Sequence, residues 1–481
     1  MSHLTLFFRF GRTVRINMKR SDERSLTNFR FIYFSLLVFF ITCKNPELEN
    51  LCDPKYSGYY ETILFKILSG NTSNHCGLNL NQVFIPMFSP NPGHYTKPNF
   101  ISITSLTPGA TIYITTDGSL PTTGSTPYTS ASSIWLLAGQ RIRAVATKLG
   151  MENSPIAEAT YSIIPLKTGQ TASYTAGDDA FIGSGLSISY GTPNSSASYP
   201  NDYTTLDNAT GILWKTCSEG LSGSTCAINS PSVTTADITT LIASCNALNT
   251  ANSGNGYAGY KTWRLSTAKE LLSTNDASKS SLTILDPTAL PATVNFAYWA
   301  STPYPSNLSS GWYLDYSGGN SYATISNVYH GRCVASLPPI ETSTFFDHGD
   351  GTIKDNTTGL TWQKCSYGQN NDSSCSSAAN PLDWSNAITY CNSLSLGSKS
   401  WRLPNRNELA SLYDYTKAAG PTINQTVFPN TVSSPSGYYW TSTTAASNAN
   451  LAWYINFTTT FNSFYEIHAK VNSLYVRCVS Q

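Results

Sequence analysis

The spacing of apolar residues changes several times along the chain, and each change predicts a different element. From Phe31 to Ile41 the residues are almost continuously apolar, behind Lys19, Arg20, Arg24 and Arg30. That run is the length of a signal-peptide core and too short to span a bilayer. Further on, Phe100–Thr104, Thr111–Thr115 and Arg141–Ala146 alternate apolar with polar positions and are separated by turn residues, which predicts short strands of a small β-sandwich. The period then becomes helical: Ile238, Leu241, Ile242, Cys245 and Leu248 recur on one face, as do Trp384, Ala387, Ile388, Cys391 and Leu394.

These two helical patterns belong to an internal duplication. The stretch Asp207-Asn208-Ala209-Thr210-Gly211-Ile212-Leu213-Trp214-Lys215-Thr216-Cys217 aligns with Asp355-Asn356-Thr357-Thr358-Gly359-Leu360-Thr361-Trp362-Gln363-Lys364-Cys365. In order after it come Cys226 with Cys375, Cys245 with Cys391, Trp263-Arg264-Leu265 with Trp401-Arg402-Leu403, Tyr298-Trp299 with Tyr439-Trp440, Trp312-Tyr313 with Trp453-Tyr454, and Arg332-Cys333-Val334 with Arg477-Cys478-Val479. A period near 150 residues is far longer than a solenoid repeat, so two tandem domains are expected, each with its own core.

A second helix is predicted after each Trp-Arg-Leu. Thr267 or Asn405 caps it, and Glu270 or Glu408 reaches back as a capping box. This gives both glutamates a structural role, and Arg264 and Arg402 are expected as buried framework cations. Each copy holds four cysteines, which allow three connectivities. The arrangement expected is Cys245–Cys333 and Cys391–Cys478, joining the first helix to the last strand, with Cys217–Cys226 and Cys365–Cys375 closing local loops. Cys52 and Cys76 are expected to close a loop in an irregular tether over 43–84.

Composition adds the compartment. Eleven cysteines with neither a CxxC pair nor a His/Cys cluster favour disulfides in an oxidising environment. The apolar run ends Phe40-Ile41-Thr42-Cys43 and resembles a loose bacterial lipobox, with Thr42 where Gly, Ala or Ser is usual. The resemblance implies a lipoprotein signal peptide over 1–42 and an acylated Cys43, and the ten remaining cysteines can all pair. Met18 is an alternative start. Residues 1–42 carry seven Lys/Arg and two Asp/Glu, so a processed chain has 22 basic against 26 acidic residues, near −4. Such a chain has no general attraction for nucleic acid, and no nucleic-acid partner is expected.

Candidate chemistry is sparse. The six histidines are scattered, with no HExxH pair and no Gly-x-Ser-x-Gly elbow. Asp347, Asp350 and Asp355 lack the spacing of a calcium loop and are expected in a turn. Neither enzymatic activity, metal nor cofactor is expected. On the strands Trp312–Tyr316 and Trp453–Phe457, alternation places Trp312, Leu314, Tyr316 and Trp453, Ile455, Phe457 on a core face. The opposite face carries Tyr313 with Asp315, and Tyr454 with Asn456. An aromatic ring beside a polar acceptor suits sugar stacking, so these four are the candidate ligand residues.

Two further motif sets resemble known families. Pro108-Gly109-Ala110, the turn Thr115-Thr116-Asp117-Gly118-Ser119-Leu120-Pro121-Thr122, Pro127-Tyr128, Gly150 and Ser154 resemble the chitobiase/β-hexosaminidase C-terminal domain, an immunoglobulin-like accessory module, over 85–164. The WRLPxxxEL, YWxST and RCV motifs resemble the Lcl C-terminal domain, formerly a domain of unknown function. The second copy, 339–481, matches best. The first, 165–338, has Gly177-Asp178-Asp179-Ala180 in place of Gly349-Asp350-Gly351-Thr352 and Ser266 in place of Pro404. The family resembles C-type-lectin-like and formylglycine-generating-enzyme-like folds. The expected fold class is therefore multidomain: an all-β sandwich followed by two α+β C-type-lectin-like domains. The expected function is a surface lipoprotein held in the membrane by its N-terminal lipid and binding glycan or extracellular-matrix protein. The alternatives are a structural envelope component and a degenerate enzyme. If one copy binds, the second is expected to be the one.

Overall fold

The computed structural model describes Cys52, residues 57–69, Ser73, Cys76 and residues 81–481, apart from 96–99, 117–118, 130–133, 136–140, 228–234, 281–285, 317–318, 336–343 and 459–464. The signal peptide, Cys43 and the Asp117-Gly118 turn thus lie outside the described residues. The chain divides after Gln82. On the N-terminal side, Cys52 and Cys76 are disulfide-bonded, with Cα atoms 5.2 Å apart. The irregular tether expected there needs correcting, because Ser57–Ser69 is a helix. Tyr60, Ile63, Leu64, Ile67 and Leu68 recur at helical spacing in this sequence, and Leu64 and Phe65 are exposed.

Residues 83–481 form one compact unit. It is mostly β, built from several small sheets. The strands Gly93–Tyr95, Ala157–Ile163, Arg141–Thr147, Thr111–Thr115 and Thr126–Tyr128 make a five-stranded sheet, in that order, and Met87–Ser89, Phe100–Thr104 and Ile134–Trp135 make a three-stranded one. Ile101, Ile103, Ile112, Ile142, Ala144 and Tyr161, drawn from both sheets, are buried together. Gly150, at φ +83°, turns the chain between two strands, and Ser154 Oγ then accepts from Ala146 N at 2.8 Å.

Each repeat builds one sheet from its flanks and one from its middle. In the first, Trp263–Leu265, Cys333–Ala335, Leu213–Lys215, Tyr199–Leu206 and Asn194–Ser196 are neighbours in that order. In the second, Val479–Ser480, Thr361–Gln363, Thr352–Asp355 and Phe345–Asp347 follow the same order, with Arg402 bridged to Val479. The shared Asp-Asn-x-Thr-Gly motif is the turn between two of these strands. Asp355 accepts from Thr357 N at 2.8 Å and Thr358 Oγ1 at 2.7 Å, and Asp207 does the same with Ala209 N and Thr210 Oγ1. The middle sheets are Ala297–Pro303, Ser310–Asp315, Gly319–Thr324 and Tyr438–Thr444, Leu451–Asn456, Tyr465–Ala469.

The helices Ile238–Ala247 and Trp384–Ser393 are capped by Asp237 and Asp383 and bury Cys245 and Cys391. These cysteines bond to Cys333 and Cys478, and Cys217–Cys226 and Cys365–Cys375 close the local loops. Both second helices carry the capping box.

One sequence equivalence needs correction. In the second copy, Gly349 to Gly351 form the hairpin turn between Phe345–Asp347 and Thr352–Asp355. By sheet order its counterpart is the hairpin joining Asn194–Ser196 to Tyr199–Leu206, not Gly177–Ala180. Asp179–Ile182 is instead a short helix, N-capped by Asp178, that packs on Tyr438–Thr444 of the second copy. Similar Gly-Asp content drew the two segments together despite different folds.

Candidate functional site

Alternation along the central strand of each middle sheet sends one set of side chains inward. Trp312, Leu314, Tyr316, Trp453, Ile455 and Phe457 are all buried, in one apolar cluster that both copies share. Trp312 of the first copy lies 6.0 Å from Tyr413 and 5.5 Å from Tyr415 of the second, ring centre to ring centre.

The outward set differs between copies. In the second, Tyr454 is 5% and Asn456 2% exposed. The Tyr454 hydroxyl donates to Glu466 at 2.9 Å, its ring lies 4.6 Å from that of Tyr438, and burial pushes the phenol well up. Asn456 accepts from Thr458 N at 2.9 Å. The open platform expected of the second copy is therefore corrected: neighbouring strands cover it. In the first copy, Tyr313 and Asp315 are half-buried. The Tyr313 ring lies 4.9 Å from Tyr329 and 6.1 Å from Trp299, and burial raises its phenol. Tyr329 in turn touches Phe296, which is 51% exposed. Sequence reasoning missed Phe296 and Tyr329 because their counterparts in the repeat are Gly437 and Leu474; the signal available was that mismatch.

The acid–base candidates are tied up internally. Arg264 grips Glu270 with two bonds of 2.8 and 2.6 Å, and Arg402 grips Glu408 with two of 2.6 Å. Burial alone would raise Glu408, but the Arg402 guanidinium holds its carboxyl below the usual range. A carboxylate held ionised in a bidentate pair is a poor general acid. Arg477 is fully buried, donates to the Gln363 and Lys364 carbonyls and to Thr431, and lies over the Phe428 ring at 4.7 Å. Arg332 does the equivalent in the first copy, toward the Thr216 carbonyl and Thr293. Among the described residues, Glu219, Cys245 and Cys333 gather like metal ligands, but both sulfurs belong to a disulfide and offer no thiolate.

A polar constellation joins the two copies. Ser184 donates to Glu408 at 2.7 Å and accepts from Arg402 at 2.8 Å. The Asp179 carboxylate accepts from Thr168 at 2.5 Å and from Thr443 at 2.7 Å, and burial pushes it up to about 6. Gln170 accepts from Thr444 N, and Asn407 donates to the Leu166 and Lys167 carbonyls. Residues 166–184 are thereby wedged between the copies.

A scan against family models matches the Lcl C-terminal domain twice, at residues 203–335 and 351–480. The chitobiase/beta-hexosaminidase C-terminal domain matches residues 90–158. Searches of the curated proteins and of the solved structures return no match. The two Lcl matches cover more than half of the sequence and coincide with the duplicated sheets and helix-to-strand disulfides described above, so the chain belongs to the Lcl C-terminal domain family as a tandem pair.

Proposed function

We propose that this protein is an exported lipoprotein, acylated at Cys43 and displayed at the cell surface, that binds glycan or extracellular-matrix ligands as an adhesin. On this reading residues 85–164 are an immunoglobulin-like stalk and the two copies are C-type-lectin-like heads. The observation that carries it is the combination of a module matched to the accessory domain of carbohydrate-active enzymes with a tandem whose first copy leaves aromatic rings at its surface. The locked Arg402–Glu408 pair supports binding rather than catalysis.

The test has two arms. Metabolic labelling with an acyl probe is expected to mark the wild type and not Cys43→Ala, and protease shaving of intact cells is expected to release the tandem. Purified full-length protein is then screened on glycan and matrix arrays, where reproducible binding is expected. A second reading, a structural envelope component without a ligand, draws support from the burial of Tyr454 and Asn456. Silence on both arrays would establish it instead.

A further inference from the structure

We propose that the first copy carries a stacking site for neutral pyranose rings on the rim formed by Phe296, Tyr313 and Tyr329. The proposal rests on the binding function above and gives it a location and a ligand class.

The rim is built on a fixed base. Trp299 is fully buried, and its indole N–H donates to the Asn327 carbonyl at 3.2 Å. Against it lies the Tyr329 ring at 4.8 Å, then Tyr313 at 4.9 Å from Tyr329, and Phe296 edge-on at 6.1 Å. The backbone holds the same register: Trp299 N donates to the His330 carbonyl at 2.8 Å, and Tyr329 pairs with Ala236 in both directions. Rings packed against one another in this way lose little freedom when a ligand lands on them, which favours binding through a few planar contacts. Phe296 and Val328 are more than half exposed, so the outer part of the rim is open.

The chemistry around the rings selects the ligand. No Lys or Arg occurs between Lys279 and Arg332, and the only acidic residues there are Asp286 and Asp315. On the strand-like bridge opposite Tyr329, Thr235 and Ala236 carry no charge, and Asp237 follows. A sulfated or uronic chain would meet the Asp315 carboxylate beside Tyr313, and the base against the rings is the buried His330, 6.0 Å from the Phe296 ring. Asn295, Ser326 and Asn327 are exposed beside the rings and carry amide and hydroxyl groups that match sugar hydroxyls. The second copy lacks this assembly. Gly437 and Leu474 stand where the first has Phe296 and Tyr329, and Glu466 takes up the Tyr454 hydroxyl.

The test compares full-length wild type with Phe296→Ala and Phe296→Leu on an array of neutral and sulfated glycans. Phe346→Ala, a similarly exposed phenylalanine of the second copy, serves as control. Wild type is expected to hold neutral glycans. Both Phe296 variants are expected to lose tenfold or more in affinity with an unchanged unfolding midpoint, while the control binds as wild type. Leucine keeps the apolar bulk but not the ring face, so a leucine variant that binds normally overturns stacking. Wild-type binding that survives both substitutions overturns this site and leaves the adhesin reading intact. Capture of sulfated glycans alone overturns the ligand class, and silence toward every glycan overturns the site together with the glycan arm of the function.

Discussion

The Arg406 guanidinium, in the second copy, donates to the side-chain oxygen of Asn275, in the first, at 2.6 Å, and a second bond reaches the Asn275 carbonyl at 3.1 Å. Arg406 is fully buried, with the Trp453 and Tyr465 rings 5.3 and 5.2 Å away. Arg406→Ala would leave a cavity and remove two hydrogen bonds to Asn275. A loss of about 3–5 kcal/mol in unfolding free energy is expected by denaturant titration. A double-mutant cycle with Asn275→Ala should show coupling of about 0.5–3 kcal/mol. Strict additivity would mean that the contact does not join the copies.

Asp179 makes the pair sensitive to pH. Burial raises its carboxyl to about 6, above the unfolded value near 4, so the folded state favours the proton. The resulting stability is fully present below about pH 4 and is lost as pH rises through 6. Asp179→Asn keeps an oxygen for Thr168 and Thr443 and cannot ionise. It is expected to be more stable than wild type at pH 7 by about 2–3 kcal/mol, with the difference closing toward pH 4. Equal stability of the two proteins at pH 7 would contradict this account.

The disulfides of the two copies should not contribute equally. Cys245–Cys333 and Cys391–Cys478 span 88 and 87 residues, against 9 and 10 for Cys217–Cys226 and Cys365–Cys375. Chain-entropy arguments give about 4.6 kcal/mol for the long loops and about 2.6 for the short ones. Paired alanine substitutions followed by thermal unfolding should therefore rank the long bridges first in each copy.

A buried charge pair in the first copy is replaced wholesale in the second. Lys215 lies 3.2 Å from Glu219, whose other oxygen accepts from Ser244 at 2.8 Å. The matching residues are Gln363, Tyr367 and Tyr390, where Gln363 donates to the Tyr390 hydroxyl at 2.6 Å. Lys215→Met alone should cost about 3–5 kcal/mol by leaving Glu219 unpaired. The triple exchange Lys215→Gln, Glu219→Tyr, Ser244→Tyr should recover most of that loss. If the triple variant is no better than the single one, the two sets are not interchangeable solutions.

What the sequence revealed followed from local chemistry. Helical spacing placed Cys245 and Cys391 on buried faces, the capping boxes at Glu270 and Glu408 needed only three residues of context, and the repeat exposed the rest by comparison. What stayed hidden depended on distant neighbours. Alternation identified the outward face of Tyr454 but not that Tyr438 and Glu466, from the two adjacent strands, would close over it. Arg406 falls at the position of Ala268, so comparison of the copies gave no hint of a buried cation. Asp179 meets Thr443 across 264 residues, a separation that no local pattern encodes.

That separation also sets an order of events. Residues 166–184 leave the ribosome, and any export channel, long before the strands of the second copy that they contact, and the outer sheet there closes only with Val479–Ser480. High contact order slows this step and leaves the wedge uncovered meanwhile. Refolding under pulsed protease should accordingly show cleavage within 166–184 persisting until the final strand has docked, so the tandem is a clasp fastened late, its opening segment held by its last strands.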